Sequence, residues 1–400
     1  MSEIKQNIPI AKPWMGEAEA EAARRAIISG WVTQGPEVLA FEQDFAAYVG
    51  AKSACAVSNC TTALHLALLA VGVQPEDEVI TVSHSYIATA NTIRYCGAIP
   101  VFVDIEPQTY NINPVLIEDV ISDRTRAILV VHQMGMPCDL KAILDIAHSH
   151  NLPVIEDAAC AIGSEILWDG QWEKIGKPHA DIACFSFHPR KVITTGDGGM
   201  LTTNNREWDK QFRLWRQHGM SVPDTVRHKA KQVIFETYPM LGYNYRMTDI
   251  QAAIGREQLK RLPEIVERRR YLAQRYQEKL VDVPGLKLPT EPTWAKSNWQ
   301  SFCVRLTEKF DQLQVMQEML DAGISTRRGV MSAHRERAYQ TETWSCGVDP
   351  KACECEVGKC DRLSESEQAQ DHAIILPLFH QMTEQEQENV VEVLKIACQA

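Results

Sequence analysis

The chain has 400 residues, of which 45% are hydrophobic and 23% are charged, and its formal net charge is −11. This length is enough for two domains with a large core, and no apolar run approaches the length of a membrane span. The acidic balance argues against nucleic acid as a partner, so any bound phosphate must be held by local donors such as helix N-termini, backbone amides or arginines.

The first fifty residues predict an extended arm followed by two helices. Residues 16–29 have helical periodicity, which Gly30 ends. The following stretch, Trp31 to Pro36, is polar and rich in turn residues, and it predicts a surface loop.

Apolar strands and helices alternate from residue 51 onward. The predicted strands are 53–57, 78–81, 99–103, 127–131 and 153–155, and the predicted helices between them are 61–70, 88–96, 114–121 and 140–150. This alternation is typical of βαβ units with right-handed crossovers and a mostly parallel sheet. Active sites in such sheets lie at the carboxyl ends of the strands, where this chain carries Ser58 to Thr61, Ser83 to Tyr86, Asp104, His132 and Asp157.

A lysine, Lys191, lies between a predicted strand over 182–187 and a glycine-rich turn. An amine beside apolar residues is partly dehydrated, which disfavours the ammonium form and frees a nucleophile of the kind that forms Schiff bases. Asp157 ends an upstream apolar strand. Together these residues suit pyridoxal phosphate, which needs a lysine for an imine and an acid at its ring nitrogen. Taken singly, a loop lysine is usually solvated and an aspartate after a strand is often a helix cap.

The rest of the chain predicts a strand over 199–203, a helix over 205–217 and a long irregular segment over 218–240. Thr248 caps a helix that Pro263 interrupts, and Pro263 begins a second helix that reaches about residue 280. We therefore predict a large domain over 1–262, with its N-terminal arm, and a smaller α+β domain over 263–400. The smaller domain has a predicted strand over 302–306 and predicted helices over 310–322 and 384–398.

Four of the twelve cysteines, Cys346, Cys353, Cys355 and Cys360, lie close together in the chain. Such a group is able to hold a structural zinc ion, but the spacing lacks paired C-x-x-C units, and an exposed loop with free thiols is the favoured interpretation. We predict no metal site. No apolar signal core follows Met1, and we expect a cytoplasmic protein with reduced thiols.

Several long motifs, in order, resemble the DegT/DnrJ/EryC1/StrS family of sugar aminotransferases. They are Ser29 to Pro36, Ala63 to Leu68, Glu156 to Ala159, Ser186 to Lys191 and Gly242 to Ala253. The resemblance covers nearly the whole chain. It implies the aspartate-aminotransferase-like fold (type I of the pyridoxal phosphate enzymes), with a mostly parallel sheet in a large α/β domain and a smaller α+β C-terminal domain.

The resemblance assigns roles to the cofactor residues. Lys191 matches the lysine that binds pyridoxal 5'-phosphate covalently and moves protons during the reaction. Asp157 matches the aspartate that keeps the pyridine nitrogen protonated. Thr61 and Ser186 match residues that bind the phosphate, and Cys60 stands where the family usually has glycine.

Further positions match family residues near the cofactor. Tyr86 falls where the family places an aromatic ring over the cofactor, although a core tyrosine is the competing interpretation. Cys160 occupies a position that is usually Gln or His and contacts the cofactor's phenolic oxygen, and a thiol is a poorer hydrogen-bonding group. Asn244 matches an asparagine that reaches the phosphate across a dimer interface, which implies a homodimer with composite sites; a turn-forming asparagine is the alternative.

The substrate-binding candidates are basic. His334 resembles a histidine near the sugar pocket, and Arg327, Arg328 and the loop around Lys229 are candidates for a nucleotide diphosphate or for the glutamate carboxylates. Arginine suits both because its planar fork matches paired oxygens. Solvated surface charge explains these basic residues equally well.

The resemblance implies transfer of an amino group from glutamate or glutamine to a nucleotide-linked keto-sugar. Family dehydratases carry histidine where Lys191 stands, so the lysine favours transamination. A keto-inositol aminotransferase is an alternative, as is a catalytically silent protein that binds pyridoxal phosphate or a sugar nucleotide as a regulator.

Overall fold

The computed structural model describes residues 7–348 and 355–398. The helices are α1 (Glu17–Ser29), α2 (Pro36–Val49), α3 (Cys60–Ala70), α4 (Ala88–Tyr95), α5 (Leu140–Ser149), α6 (Arg206–Trp215), α7 (Asp224–Lys229), α8 (Asp249–Leu280), α9 (Gln312–Asp321), α10 (Ser364–His372) and α11 (Glu384–Ala397). The strands are β1 (Ser53–Val57), β2 (Glu78–Val82), β3 (Ile99–Val103), β4 (Thr125–Val131), β5 (Val154–Asp157), β6 (Glu165–Trp168), β7 (Gln171–Lys174), β8 (Ile182–Ser186), β9 (Gly199–Thr203), β10 (Leu286–Lys287), β11 (Ala295–Lys296), β12 (Phe302–Leu306), β13 (Arg327–Arg328) and β14 (Ala373–Leu376).

The main sheet of the described chain has seven strands in the order β1-β9-β8-β5-β4-β2-β3. Strand β9 is antiparallel to both of its neighbours, β1 and β8, and the other pairs are parallel. The carboxyl ends of β1, β2, β4, β5 and β8 therefore meet at one edge of the sheet, as the strand–helix alternation predicted.

Alternate residues of each central strand face two different apolar cores. In β4, Ile128 and Val130 belong to one buried cluster, whereas Ala127 and Leu129 belong to another. Successive side chains in a strand point to opposite faces, so both faces of the sheet are covered. This explains why the strands are nearly continuous apolar runs in the sequence.

A second sheet, β10-β12-β14-β13, belongs to the C-terminal part of the chain, and a third, β11-β6-β7, flanks the main sheet. The N-terminal arm reaches the C-terminal part, where Ile8 forms a β-bridge with Ile324. Among the described residues, no helix is both long enough and apolar enough to cross a membrane.

Helix α8 corrects the prediction of two helices separated at Pro263, because it runs through this proline without interruption. A proline inside a helix costs about 3 kcal/mol. On either side of it, Leu262, Ile265 and Val266 are buried in the core beside the main sheet, and each such side chain contributes about 1.5–3 kcal/mol. Packing therefore outweighs the proline. The later part of α8, from Leu272, packs in the C-terminal core. This one helix therefore crosses the predicted domain boundary between residues 262 and 263, and that boundary stays a prediction.

Other departures are local. The helix predicted over 114–121 is two short 3₁₀ turns, Pro114–Leu116 and Glu118–Val120. The segment predicted to be irregular, 218–240, contains α7. The hairpin β6–β7 and the elements α10 and β14 were not predicted. The first two lack a clear apolar period, and β14 is a four-residue apolar run, which periodicity alone does not assign to a strand.

Candidate active site

A cavity of about 1030 Å³ lies at the carboxyl edge of the main sheet. Among the predicted site residues, its lining includes Cys60, Thr61, Tyr86, Asp157, Cys160, Ser186, Lys191, Arg327 and Arg328. The strands β1, β2, β5 and β8 position most of these side chains, because each residue lies at a strand end or in the connection that follows. The two arginines come from the C-terminal part, on β13, so the cavity lies between the main sheet and the smaller sheet.

Lys191 is half-buried, and its Nζ donates a hydrogen bond to the Cys160 Sγ at 3.0 Å. Burial alone would lower the pKa of Lys191, but the acidic groups of Cys160 and Asp157 outweigh it and raise that pKa. The prediction that dehydration frees the amine is therefore wrong. The neighbouring acids hold the ammonium form instead.

Asp157 is buried at the end of β5, where burial raises the pKa of its carboxyl group. Two groups donate hydrogen bonds to this carboxylate, and a third group supports one of them. Thr89 Oγ1 donates to Oδ2 at 2.8 Å, and the Ala159 backbone N–H donates to Oδ1 at 3.2 Å. Ser85 Oγ lies 2.8 Å from Thr89 Oγ1, and since the single proton of Thr89 goes to Asp157, Ser85 is the donor in that contact.

Thr89 was not among the predicted site residues. It lies three positions after Tyr86, in the first turn of α4, and it is 1% exposed. A threonine at a helix start usually serves the backbone, and nothing in the sequence indicates which distant strand end it contacts. The strand–helix pattern identified the helix, but only the fold shows that its first turn faces β5.

One wall of the cavity has the groups that a phosphate requires. Helix α3 begins there, and Asn59 caps it by accepting a hydrogen bond from the Thr62 N–H at 2.9 Å. The first amides of a helix have no carbonyl one turn earlier to bond and attract anions, and the hydroxyl groups of Thr61 and Ser186 line the same cavity. At Gly199 a Cβ would lie 2.5 Å from the Asn59 backbone, so only glycine lets β9 approach this turn so closely.

Tyr86 lines the cavity and is 66% exposed. This exposure excludes the alternative of a core tyrosine. Each part of pyridoxal phosphate has a matching group in the cavity. The lysine suits its aldehyde, the buried acid its ring nitrogen, the aromatic side chain its ring face, and the wall at the start of α3 its phosphate. The residues therefore fit this cofactor.

Two of the basic candidates lie in the cavity. Arg327 and Arg328 are both exposed, and Arg328 forms an ion pair with Glu336 at 3.2 Å. Lys229 ends helix α7, and its side chain lies outside the part of the structure that is described. Arg190 and His188 also line the cavity, although neither was singled out.

Asn244 is exposed, and it is not among the residues that line the cavity of its own chain. Its backbone pairs with Gln217 in an isolated bridge. The role predicted for Asn244, in a site shared between two subunits, stays a prediction.

His334 does not line the cavity, which corrects the expectation of a sugar contact. Its ring is buried, and both ring nitrogens are engaged: Nδ1 lies 2.7 Å from Ser83 Oγ, and Nε2 lies 3.1 Å from Glu367 Oε1. Burial lowers the pKa of His334. The histidine thus connects the end of β2 to helix α10, and neither ring nitrogen is left for a substrate.

The sulfur atoms of Cys346, Cys355 and Cys360 lie within 4.8 Å of one another. Cys353 lies outside the described residues. The sequence interpretation of an exposed loop does not hold for Cys346 and Cys360, which are buried.

The chain resembles known aminotransferases along nearly its whole length. The model of the DegT/DnrJ/EryC1/StrS aminotransferase family matches residues 13–395. GDP-perosamine synthase of Caulobacter vibrioides is 40% identical over 331 residues, 82% of this chain and 85% of that protein. Spore coat polysaccharide biosynthesis protein SpsC of Bacillus subtilis is 41% identical over 302 residues, 76% of each chain. The crystal structure of the aminotransferase TlmJ from Streptoalloteichus hindustanus has a TM-score of 0.85 at 31% identity, with 98% of each chain covered. This likeness confirms the predicted fold.

Proposed function

The chain belongs to the DegT/DnrJ/EryC1/StrS aminotransferase family, a family of pyridoxal-phosphate-dependent enzymes, and we propose that it transfers an amino group from glutamate or glutamine to a nucleotide-linked keto-sugar. The product is an amino-deoxy sugar for a polysaccharide or another glycoside. One observation carries the proposal: a single cavity joins the Lys191–Asp157 pair to two arginines from the smaller sheet.

When bound, pyridoxal phosphate supplies a carrier for the amino group and a ring that accepts electrons. The Lys191 Nζ would hold the cofactor and would accept and return the proton of the substrate carbon. The Asp157 carboxylate would hold a proton on the ring nitrogen. The hydroxyl groups of Thr61 and Ser186, with the amides at the start of α3, would bind the phosphate, and Tyr86 would cover the ring. Cys160 contacts Lys191 directly, so its thiol influences the protonation of that amine.

The substrate class is inferred from local charge. The whole chain carries a net charge of −11 and does not attract a phosphorylated substrate by itself. Arg327 and Arg328 supply positive charge at the cavity, where an arginine fork pairs with diphosphate oxygens. The name of the relative GDP-perosamine synthase supports a nucleotide-linked sugar.

The alternatives make different use of these residues. A keto-inositol is neutral, so the carboxylates of the amino donor would be the only substrate anions available to the two arginines. A catalytically silent regulator has no need of a lysine and a buried acid that face one cavity. The lysine and the arginines together favour the keto-sugar nucleotide.

The proposal is tested with glutamate labelled with nitrogen-15 at its amine. The purified holoenzyme is incubated with this donor and a panel of nucleotide-linked keto-sugars, and the products are separated and weighed by mass spectrometry. We expect the label in one amino sugar nucleotide. Amine-labelled glutamine identifies the alternative donor. Labelling of a keto-inositol, with no nucleotide sugar labelled, would refute the proposed substrate class.

The contribution of Arg327 to binding of the nucleotide sugar can be measured separately from the half-reaction with the amino donor. Arg327→Ala should raise KM for the nucleotide sugar by about tenfold or more, since a hydrogen bond to a charged group contributes about 1.5–3 kcal/mol. The half-reaction with the amino donor should change less. Equal losses in both half-reactions would assign Arg327 to the donor carboxylates instead.

We also propose a homodimer in which Asn244 enters the partner's cavity. Asn244 is exposed in its own chain, and the preceding segment exposes large apolar side chains: Val233 at 83%, Phe235 at 88% and Leu241 at 91%. Contiguous exposed apolar surface marks an interface.

Mixing two defective variants tests the shared site. Lys191→Ala and Asn244→Ala are each expected to be inactive, but a mixed dimer has one site with both residues intact. Random exchange makes roughly half of the dimers mixed, so about a quarter of the sites recover. A dimer that forms without any recovery would place Asn244 in its own subunit's site or in none.

A further inference from the structure

The cysteine-containing segment, from Ser345 to Cys360, is anchored to β3, the outermost strand of the main sheet. Next to Cys346, the Ser345 N–H donates to the Pro100 carbonyl at 3.0 Å, and the Phe102 N–H donates to the Ser345 carbonyl at 2.7 Å. The segment therefore adds a short parallel pairing to β3. The backbone at Cys346 is thus held by the large sheet.

The opposite end of the segment is held by a different element. The Cys360 N–H donates to Glu367 Oε1, a residue of α10, at 2.6 Å. Helix α10 is itself tied to the main sheet, because Asp104 accepts hydrogen bonds from the Glu365 and Ser366 N–H groups at 2.8 Å each. Cys346 and Cys360 are thus positioned independently, fourteen positions apart in the sequence.

The three sulfur atoms nevertheless converge. All three lie within 4.8 Å of one another, with Cys346 and Cys360 buried and Cys355 half-buried. Thiolates bound to zinc lie about 2.3 Å from the metal, which places the sulfurs of a tetrahedral site roughly 3.8 Å apart. The observed grouping is compatible with one ion between them.

We propose that Cys346, Cys355 and Cys360 bind a structural zinc ion that fastens this segment to the edge of β3. Three sulfurs select a soft or borderline metal, and zinc accepts three thiolates together with a fourth ligand in a tetrahedral site. Each thiol loses its proton to solvent when it coordinates the ion. None of the three residues lines the cofactor cavity, so the metal takes no part in amino transfer.

Two other uses of these sulfurs compete with the proposal. Cys355 is in the disulfide form in this structure, and the partner sulfur lies outside the described residues. A disulfide of Cys355 does not account for the convergence of Cys346 and Cys360 on the same point. A phosphine reductant with one water converts that bond to two thiols and the phosphine oxide, which makes the sulfur available to a metal. The second competing use is apolar packing, in which buried cysteines act as small hydrophobic residues.

Metal content decides between these uses. The full-length protein is purified with a phosphine reductant and without chelators, and bound metals are measured by inductively coupled plasma mass spectrometry. We expect about one zinc per chain. Cys346→Ser and Cys360→Ser should each weaken zinc binding by more than about tenfold, whereas Cys398→Ser, in the C-terminal core, should retain the metal. A wild-type protein free of zinc, one that holds stoichiometric iron instead, or a zinc content unchanged in both ligand variants would overturn the proposal.

A measurement on the unaltered chain covers the case in which the serine variants do not fold. Alkylation by iodoacetamide is followed by peptide mass spectrometry, with and without a zinc chelator. Chelation should accelerate alkylation of the three cysteines by at least about tenfold and leave that of Cys160 unchanged. Equal rates with and without chelator, or a disulfide that persists under the reductant, would refute the zinc site. Neither result bears on the amino transfer.

Discussion

The contact between Thr89 and the buried carboxylate of Asp157 gives a sharp prediction for Thr89→Val. Valine keeps the shape of threonine and replaces the hydroxyl group with a methyl group. The 2.8 Å hydrogen bond to Oδ2 is then lost, while the bond from the Ala159 N–H remains. Ser85 also loses its acceptor.

The magnitude follows from the charge on the acceptor. A hydrogen bond to a charged group contributes about 1.5–3 kcal/mol. Burial disfavours the charged form of Asp157, so this hydrogen bond is needed to stabilise the carboxylate. Burial raises the pKa of Asp157, and the Thr89 hydroxyl opposes that rise, so the pKa should be higher in the variant. Because the ionised carboxylate is the form that would keep the ring nitrogen protonated, kcat/KM near neutral pH should fall by about tenfold or more.

The pH dependence separates this effect from general damage. The acid limb of the kcat/KM profile should move to higher pH in Thr89→Val. Since the folded pKa of Asp157 is raised, its contribution to stability is present at low pH and is lost as the pH rises through the folded pKa. The variant should therefore lose stability, measured by urea unfolding without cofactor, more at pH 7 than at pH 4.

Thr81→Val is a matched control. Thr81 is also a buried threonine, but its hydroxyl donates to the Leu129 carbonyl at 2.7 Å and does not contact Asp157. Loss of this neutral bond costs about 1 kcal/mol and should leave the acid limb in place. An unmoved acid limb in Thr89→Val, or the same shift in both variants, would refute the proposed link between Thr89 and the charge of Asp157.

Three further predictions follow from the same contacts. Lys191→Ala should lower turnover by at least about a hundredfold with unchanged circular dichroism; full activity would remove Lys191 from the mechanism. Cys160→Ala removes an acidic neighbour that raises the pKa of Lys191, so stopped-flow absorbance should show faster cofactor capture by the apoenzyme near pH 7, and an unchanged rate would contradict this influence. Glu42→Gln leaves the buried Arg216 charge without its counter-ion and should cost about 3–5 kcal/mol in urea unfolding, whereas surface Glu207→Gln should cost less than about 1 kcal/mol. Burial raises the pKa of Glu42, but the two arginines outweigh it and lower that pKa. The stability difference between Glu42 and the Gln variant should therefore shrink as the pH falls below about 4, and a difference that stays constant with pH would contradict this.

The strands that carry the site were predicted well, because a parallel sheet leaves a strong local signal. Strands 53–57 and 99–103 of the main sheet have the predicted bounds, and the position of Asp157 at a strand end follows from chain order alone. Such strands are apolar on both faces and end at turn residues, so the sequence encodes them locally. The topological rule then indicates which ends meet.

The errors have a different origin, since they concern contacts between distant parts of the chain. Pro263 signals a helix boundary locally, and only the packing on both sides of it keeps α8 continuous. The error at Lys191 has the same origin, since dehydration alone predicts a free amine. The fold brings the Cys160 Sγ to 3.0 Å from the Lys191 Nζ, and the pKa of Lys191 is raised instead of lowered. A single sequence shows neither the packing around Pro263 nor the distance between Lys191 and Cys160.

His334 shows how such contacts connect the cysteine-containing segment to the site. The resemblance to the family suggested a sugar contact for His334, yet its ring bridges Ser83, directly after β2, and Glu367 of α10. The same Glu367 oxygen accepts the Cys360 N–H. The turn that begins at Ser83 continues to Tyr86 and the cavity, so the cysteine segment is connected to the active-site edge by three consecutive hydrogen bonds. Loosening this segment should therefore affect the order of the Tyr86 turn before it affects Lys191, which is anchored on the other side of β5.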